Sequence, residues 1–132
     1  APTTGEWDCW AQLLDSTTGP AMTLRHSNSA AIINRSSPPL TTGRWYHLAF
    51  VYDGSEGGGG IKIYQDAVRV DNASGTSGTY TGMSNTATPL TVGTQSFGGT
   101  NQGLNGRTDD PQIYPFALTE VQSQQLYSAG HP

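Results

Sequence analysis

The chain has 132 residues, which is enough for one domain with a sizeable core and too few for two. Its net charge of −4 and its six scattered basic residues argue against a nucleic-acid binder. Charged residues make up only 12% of the sequence, so small polar residues must cover the surface, which favours an extracellular, cell-surface or virion-surface protein. Apolar runs are too short for a transmembrane helix, so no membrane insertion is expected.

The first part of the chain predicts short strands separated by turns. Apolar and β-branched residues favour strands at 7–14, 21–26 and 30–35, with a Gly-Pro turn signal after the first. About one strand per ten residues is typical of a β-sandwich or barrel. Cys9 is the single cysteine, so it cannot form an intrachain disulfide, and it is expected to be a small buried hydrophobe.

The most apolar stretch covers residues 45–52. Side chains in a strand alternate between two faces, and both faces here are apolar, which predicts a strand buried on both sides at the centre of the fold. Trp45 is therefore expected in the core. His47 is expected to be a hydrogen-bonded interior residue rather than a base or a metal ligand.

Residues 61–66 alternate more cleanly and predict an antiparallel neighbour of that strand. Ile61 and Ile63 would face the core, and Tyr64 would lie on a solvent-exposed face. Residues 68–71 predict the return arm of a tight hairpin.

The second half is richer in polar residues. Its pattern predicts, in order, a long surface loop at 72–88, a short strand at 89–93, a polar loop at 94–103 and a final strand at 104–114 with Pro111 at an edge or bulge.

The end of the chain predicts one short helix. Thr119 and Gln122 have the spacing of a capping box, and Gly130 is placed to end the helix. Val121 and Leu126 would form the apolar side that lies on the sandwich.

The order of these segments resembles a known family. The segments read W-x-H-L-A-x-x-Y-D-G, I-x-I-Y-x-D, P-L-x-V-G, F-G, L-x-G-x-x-D-D-x-x-I-Y and A-L-T-x-x-x-x-x-x-L-Y. Together they resemble the LamG-like jelly-roll domains of the concanavalin A-like lectin/glucanase superfamily, across 43–130. The resemblance implies an all-β jelly-roll sandwich of two antiparallel sheets, spanning 1–132 as a single domain, with non-catalytic carbohydrate or protein binding as the common role.

The chain departs from the family pattern at several points. Ala67 follows Asp66 where the family usually has glycine, so a turn that needs a positive φ would be strained by about 1 kcal/mol. Thr108 replaces an aliphatic residue and Pro111 a strand residue. The segment before Trp45 is short, which leaves two alternatives: one jelly-roll strand is missing, or a neighbouring chain supplies it.

The resemblance implies a calcium site near Asp109 and Asp110, since calcium prefers several hard oxygen ligands. The structural alternative is that Asp109 accepts backbone amides at a strand corner. For sugar binding, aromatic rings for stacking and polar groups for hydroxyls lie in or beside the two polar loops. These candidates are Tyr80, Phe97, Asn101, Gln102, Asn105 and Arg107.

Catalysis is not expected. Glycoside hydrolysis needs paired carboxylates, but Glu6, Glu56 and Glu120 are scattered, and the E-x-D-x-E signature of related glucanases is absent. The sequence therefore predicts a non-catalytic extracellular module whose partner is a glycan or a surface protein. The alternative is a structural, decoration or adhesion protein of a virion or cell surface, with a homo-oligomer, capsid or filament as partner through its sheet edges and loops.

Overall fold

Nine strands and one α-helix form the described part of the chain. The structure, a computed structural model, describes residues 7–10, 19–26, 31–55, 57–72, 74–83, 90–97 and 100–130, with the backbone alone at 7–10, 31, 94–97 and 100–102. The elements are β1 Trp7–Trp10, β2 Ala21–His26, β3 Ala31–Ser36, β4 Leu48–Tyr52, β5 Ile61–Gln65, β6 Val68–Arg69, β7 Ser74–Ser77, β8 Thr94–Phe97, β9 Thr100–Gly103 and α1 Glu120–Gly130, with a 3-10 turn at Gly58–Gly60.

The strands form two larger sheets and a separate hairpin, all with antiparallel pairing. Sheet I has the order β1-β2-β3-β7, sheet II the order β4-β5-β6, and β8 pairs with β9. Sheets I and II pack against each other where β5 lies over β2 and β3. The prediction of an all-β sandwich with one C-terminal helix is confirmed.

The core lies between the two sheets. Leu24 and Ile33 of sheet I and Ile61 and Ile63 of sheet II are completely buried. Met22 and Tyr80 complete the buried cluster, and Phe50, Tyr52 and Val70 pack around it. Burying a side chain of this kind contributes about 1.5–3 kcal/mol, so these few contacts supply much of what holds the sheets together.

The predicted pairing of β4 with β5 is confirmed, but β4 lies at an edge of sheet II. Phe50 faces Ile63 across the pair, and Tyr52 faces Ile61. Among the described residues, β5 is the one strand that pairs with β4, so the stretch expected at the centre of the fold has one open side.

Trp45 is not a core residue, contrary to prediction. Its side chain is 60% exposed, because the strand begins at Leu48 and the preceding residues form a turn around Gly43, which has a φ of 85°. The guanidinium of Arg44 stacks on the Tyr46 ring, 4.1 Å from its centroid. The indole of Trp45 is left at the surface.

The expectation of a solvent-exposed face on β5 is wrong at Tyr64, which is 2% exposed. The beginning of α1 lies close to this face. Burial raises the pKa of the Tyr64 phenol, and the nearby negative charge of Glu120 adds to this shift. The helix therefore lies on the outer face of sheet II, where Tyr127 makes an edge contact with the ring of His47 at 5.8 Å between centroids.

Three further predictions in the second half differ from the structure. The polar tract 72–88 contains β7, which pairs with β3 and extends sheet I. Residues 90–93 form no strand, whereas the predicted loop 94–103 forms the β8–β9 hairpin. Residues 104–114 form no ladder, and Asp110 takes a left-handed φ of 46° just before Pro111. Threonine is enriched in strands despite its polarity, and β7, β8 and β9 each contain one, a strand signal in segments that otherwise have the composition of loops.

The helix begins as predicted. The backbone N–H of Thr119 donates to Gln122 Oε1 at 2.8 Å, and the Gln122 N–H donates to Thr119 Oγ1 at 3.2 Å. The predicted apolar side is only partly correct, because Val121 is 61% exposed while Ser123 is fully buried. No helix in the described residues is long and apolar enough to span a membrane.

Candidate functional site

Tyr80, the aromatic residue expected to stack on a sugar, is buried. Its side chain is 3% exposed and belongs to the core between the sheets, with its ring edge toward Tyr52 at 6.5 Å. Burial raises the pKa of its phenol well above the usual range. A ring enclosed in this way offers no face to a ligand, so its assignment as a surface binding residue is wrong.

The other predicted binding residues lie on the β8–β9 hairpin and the segment after it. Phe97 ends β8, and Asn101 and Gln102 lie in β9, but their side chains are outside the described part of the structure. Asn105 and Arg107 are exposed. Their roles in binding stay predictions.

Asp109 and Asp110 are both exposed. Among the described residues, no three His, Cys, Asp or Glu side chains come close enough to hold a metal. Calcium takes about six to eight oxygen ligands, so these carboxylates do not by themselves fit the ion. A calcium site at this position stays a prediction.

Asp110 instead begins a row of hydrogen-bonded side chains. Gln112 Nε2 donates to Asp110 Oδ2 at 2.7 Å, and the Tyr114 hydroxyl donates to Gln112 Oε1. The row continues to Phe116, whose ring centroid lies 5.8 Å from that of Tyr114 at an interplanar angle of 58°. Because every second residue takes part, carboxylate, amide and aromatic groups share one side of this segment. We call Asp110, Gln112, Tyr114 and Phe116 the polar–aromatic row.

The aromatic end of the row forms one wall of a surface groove, and α1 forms the other. The groove has a volume of about 310 Å³ and a mainly apolar lining. It is lined by Tyr114, Phe116, Leu118, Gln122, Gln125, Leu126 and Ala129. Its volume lies at the lower end of the range of small-molecule sites, which is about 300–1,000 Å³.

The orientation of α1 explains which helix residues reach the groove. Ser123 and Tyr127, four residues apart, lie on the side of the helix nearer the sheet: Ser123 is buried and Tyr127 contacts His47. Gln122 and Gln125 line the groove on another side of the helix. The capping box fixes where the helix begins and so fixes these positions.

The groove combines the groups that recognise hydroxyl-rich molecules. Phe116 is 57% exposed, so its ring has a free face that the C–H groups of a ligand can cover. The Gln125 amide offers both donors and an acceptor, whereas Gln122 offers its Nε2 donors, because its Oε1 accepts from Thr119 in the capping box. Glu6 and Glu56 lie outside the described residues.

The groove residues were not among the predicted binding residues. Tyr114 ends the predicted strand 104–114 and Phe116 follows it, so both lie outside the two polar loops that supply the predicted binding residues. A signal was present in the alternating sequence D-x-Q-x-Y-x-F at 110–116, which places one polar and aromatic set on a single side.

A family model for laminin G-type domains, described as the concanavalin A-like lectin/glucanases superfamily, matches residues 3–122. A search of curated proteins found no significant match, and neither did a search of solved structures. The match covers most of the chain and agrees with the two packed antiparallel sheets described above. The chain therefore belongs to the concanavalin A-like lectin/glucanase superfamily.

Proposed function

We propose that this protein is a non-catalytic carbohydrate-binding module and that the groove between the polar–aromatic row and α1 holds the sugar. The observation that carries the proposal is the Tyr114–Phe116 ring pair, which lies beside two glutamine side chains in a groove of about 310 Å³. Family membership supports a binding role in general, because laminin G-like domains are usually binding modules.

The chemistry of the groove suits a pyranose ring. The apolar face of the sugar would cover Phe116, which removes apolar surface of both partners from water. Gln125 would both donate to and accept from the hydroxyls, and Gln122 would donate through Nε2, because its Oε1 is engaged by Thr119. The apolar lining of the groove thus matches the apolar face of the sugar, and the glutamine side chains match its hydroxyl groups.

The charge near the groove favours a neutral glycan. Asp110 lies at one end of the row, and the whole chain carries a net charge of −4. Anionic sugars would meet like charge, which lowers their affinity unless a cation intervenes. We therefore propose neutral, hydroxyl-rich glycans as the ligand class. The protein would bind them outside the cell or on a cell or virion surface.

The positions of the described acidic residues near the groove fit a binding role without catalysis. Glu120 is on the helix at the side near Tyr64, whereas Asp110 belongs to the row. Retaining and inverting glycosidases both need two carboxyl groups that flank one bond, about 5–9.5 Å apart. The groove lining contains no Asp or Glu side chain.

The test is a glycan-array screen of neutral and acidic glycans, followed by calorimetry of the best ligand with and without a calcium chelator. Phe116→Ala should weaken binding about tenfold, because a stacked aromatic contact contributes about 0.5–1.5 kcal/mol beyond its area and 1.4 kcal/mol is tenfold. Gln125→Ala should also weaken it. An affinity unchanged by the chelator would remove calcium from the proposal.

Adjacent residues provide matched controls. Gln124 is next to Gln125 but does not line the groove, so Gln124→Ala should bind normally. Trp45→Ala removes another exposed aromatic ring outside the groove. If Trp45→Ala or Gln124→Ala abolishes sugar binding while Phe116→Ala does not, the groove is not the binding site.

A second function, self-assembly of a decoration or adhesion protein, is favoured by one specific observation. The β4 strand lies at an edge of sheet II and pairs with β5 alone among the described strands. A capsid, filament or surface-protein partner could use the same edge.

A further inference from the structure

The open edge of β4 presents a regular set of backbone groups. At one end of the β4–β5 pair the Asp66 N–H donates to the His47 carbonyl at 2.9 Å, and at the other the Asp53 N–H donates to the Gly60 carbonyl at 3.1 Å. In an antiparallel pair the bonding residues alternate, so positions 47, 49, 51 and 53 bond to β5. The N–H and C=O groups of Leu48, Phe50 and Tyr52 therefore point away from β5.

This edge lacks the features that usually prevent strand addition. The sequence of β4 is Leu-Ala-Phe-Val-Tyr, without proline, glycine or charge. The other edge of sheet II is different, because β6 has only two residues. Where β6 no longer pairs with β5, charged side chains bond to the β5 backbone instead. There the Ile63 N–H donates to Asp71 Oδ1 at 3.2 Å, and Arg35 donates to the Ile61 carbonyl at 2.9 Å. Within the described part of the chain, the β6 edge of sheet II is thus protected and the β4 edge is not.

We infer that β4 pairs with β4 of a second copy of the chain, antiparallel and centred on Phe50, so that sheet II continues across the two molecules. In this register Phe50 faces Phe50 of the second copy, and Leu48 faces Tyr52. Every outward N–H then meets an outward carbonyl, which satisfies all the groups named above.

The side chains also match in this register. Leu48, Phe50 and Tyr52 share the inner face, where Phe50 and Tyr52 already pack on the core, so the pairing extends an apolar row. A shift by one residue would bring the inner-face row against outer-face residues, so the pattern specifies the register.

The partner is a copy of this chain rather than an unrelated peptide, because the edge is complementary to itself. A two-fold axis through Phe50 makes both halves of the interface identical, as in most soluble dimers. A peptide of a different protein would need its own apolar alternation, and its binding is an outcome that the test distinguishes.

The experiment measures mass in solution and amide exchange of the full chain between about 1 μM and 1 mM protein. We expect a monomer–dimer equilibrium, with the amides of Leu48, Phe50 and Tyr52 exchanging at least about tenfold more slowly at the high concentration, because hydrogen bonds across the interface protect them. A mass that stays monomeric over the whole range would overturn the inference. So would a dimer in which these three amides exchange equally fast at both concentrations.

Two variants at one position separate the backbone from the side chain. Leu48→Pro removes an outward N–H without removing a bond to β5, and it should be monomeric. Leu48→Ala keeps that N–H and should still dimerise. Dimers of equal strength for Leu48→Pro and Leu48→Ala would contradict the pairing, and the exchange experiment on the unaltered chain stands even if Leu48→Pro does not fold.

Discussion

At the scale of single residues, Ala67 shows how a departure from a sequence pattern becomes a structural cost. Asp66 and Ala67 have φ values of 50° and 66°, and they form the two-residue connection between Gln65 and Val68. Positive φ at both positions is typical of a type I′ hairpin turn, in which glycine is preferred at the second position. Alanine is strained there because its Cβ approaches the backbone.

Ala67→Gly should stabilise the protein by about 0.5–1 kcal/mol, since the relief of strain exceeds the added entropy of the unfolded chain. Ala49→Gly, within a strand, should instead destabilise it by a similar amount. Urea unfolding of both variants measures the difference. The explanation by strain fails if the two substitutions shift the free energy of unfolding in the same direction.

Asp71 is a buried carboxylate held by two arginine side chains. Its side chain is 3% exposed, pairs with Arg35 at 3.0 Å and accepts a hydrogen bond from Arg69 Nε at 2.7 Å. Burial alone would raise the pKa of this carboxyl, but the hydrogen bonds from Arg69 and the Ile63 N–H and the charge of Arg35 outweigh it and lower the pKa. The folded state therefore favours the ionised form.

Asp71→Asn should lower the free energy of unfolding at pH 7 by roughly 2 kcal/mol, because it removes hydrogen bonds to a charged group. A lowered folded pKa gives stability that is present above the unfolded pKa of about 3.9 and is lost as pH falls through the folded value. The difference in the free energy of unfolding between Asp71→Asn and the unaltered protein should thus become smaller below about pH 4.

Unfolding curves across this pH range measure that gap, with Asp109→Asn, an exposed carboxyl, as the control. A gap that is constant with pH, or one equally large for Asp109→Asn, would contradict the role given to Asp71.

At the scale of elements, the sequence predicts the helix and the central hairpin better than it predicts which side of each is covered. The capping box at Thr119 and Gln122 is local, so it can be recognised without the rest of the fold. Trp45 is exposed because the turn around Gly43 comes before β4 begins at Leu48. The burial of Tyr64 depends on where α1 lies, which is a tertiary contact that no local pattern encodes.

The same distinction applies to the candidate site. Asp110 was predicted as a functional position, but the groove needs α1 to lie beside Tyr114 and Phe116, and that arrangement is a long-range one. The sequence neighbours of Tyr80 are small and mostly polar, which is typical of an exposed aromatic residue. Its chain segment follows β7 along sheet I, and this pairing carries the ring into the core.

Ser123 is the least favourable residue of α1. It is completely buried, and its hydroxyl has no hydrogen-bond partner among the described residues. Ser123→Ala should raise the free energy of unfolding by about 1 kcal/mol, because it removes an unsatisfied polar group and alanine favours the helix. Thermal unfolding followed by circular dichroism measures the gain.

Ser128→Ala is the control in the same helix. The Ser128 hydroxyl is exposed and donates to the Gln124 carbonyl at 2.9 Å, so its removal should change stability by less than about 0.5 kcal/mol. If Ser123→Ala destabilises the protein while Ser128→Ala does not, the buried hydroxyl has a partner that stabilises the fold.

At the scale of the whole molecule, Arg35 connects the two sheets at one end of the sandwich. It projects from β3 in sheet I and donates to the backbone carbonyls of Ile61 and Asn72, at 2.9 Å and 2.7 Å. Together with its ion pair to Asp71, these bonds fix the position of β5 relative to β3. The apolar core holds the sheets together, and this polar contact determines how they are aligned.

The two proposed interaction regions lie on different elements of this sandwich. The groove is formed by α1 and the row before it, while the open edge belongs to β4. A dimer through β4 would carry two grooves, and two linked sites bind a multivalent glycan surface more strongly than one.

The glycine run before β5 sets a practical rule for engineering this domain. An added Cβ at Gly58 would come within 2.7 Å of the Ser74 Cβ, and one at Gly60 within 2.5 Å of Asp53 Oδ1. A stretch that looks like a flexible linker in the sequence is therefore tightly packed at Gly58 and Gly60, although an added Cβ at Gly59 would meet nothing within 4 Å. Affinity tags, protease sites or fused domains inserted here would disturb the contacts of Gly58 and Gly60, so such additions belong elsewhere in the chain.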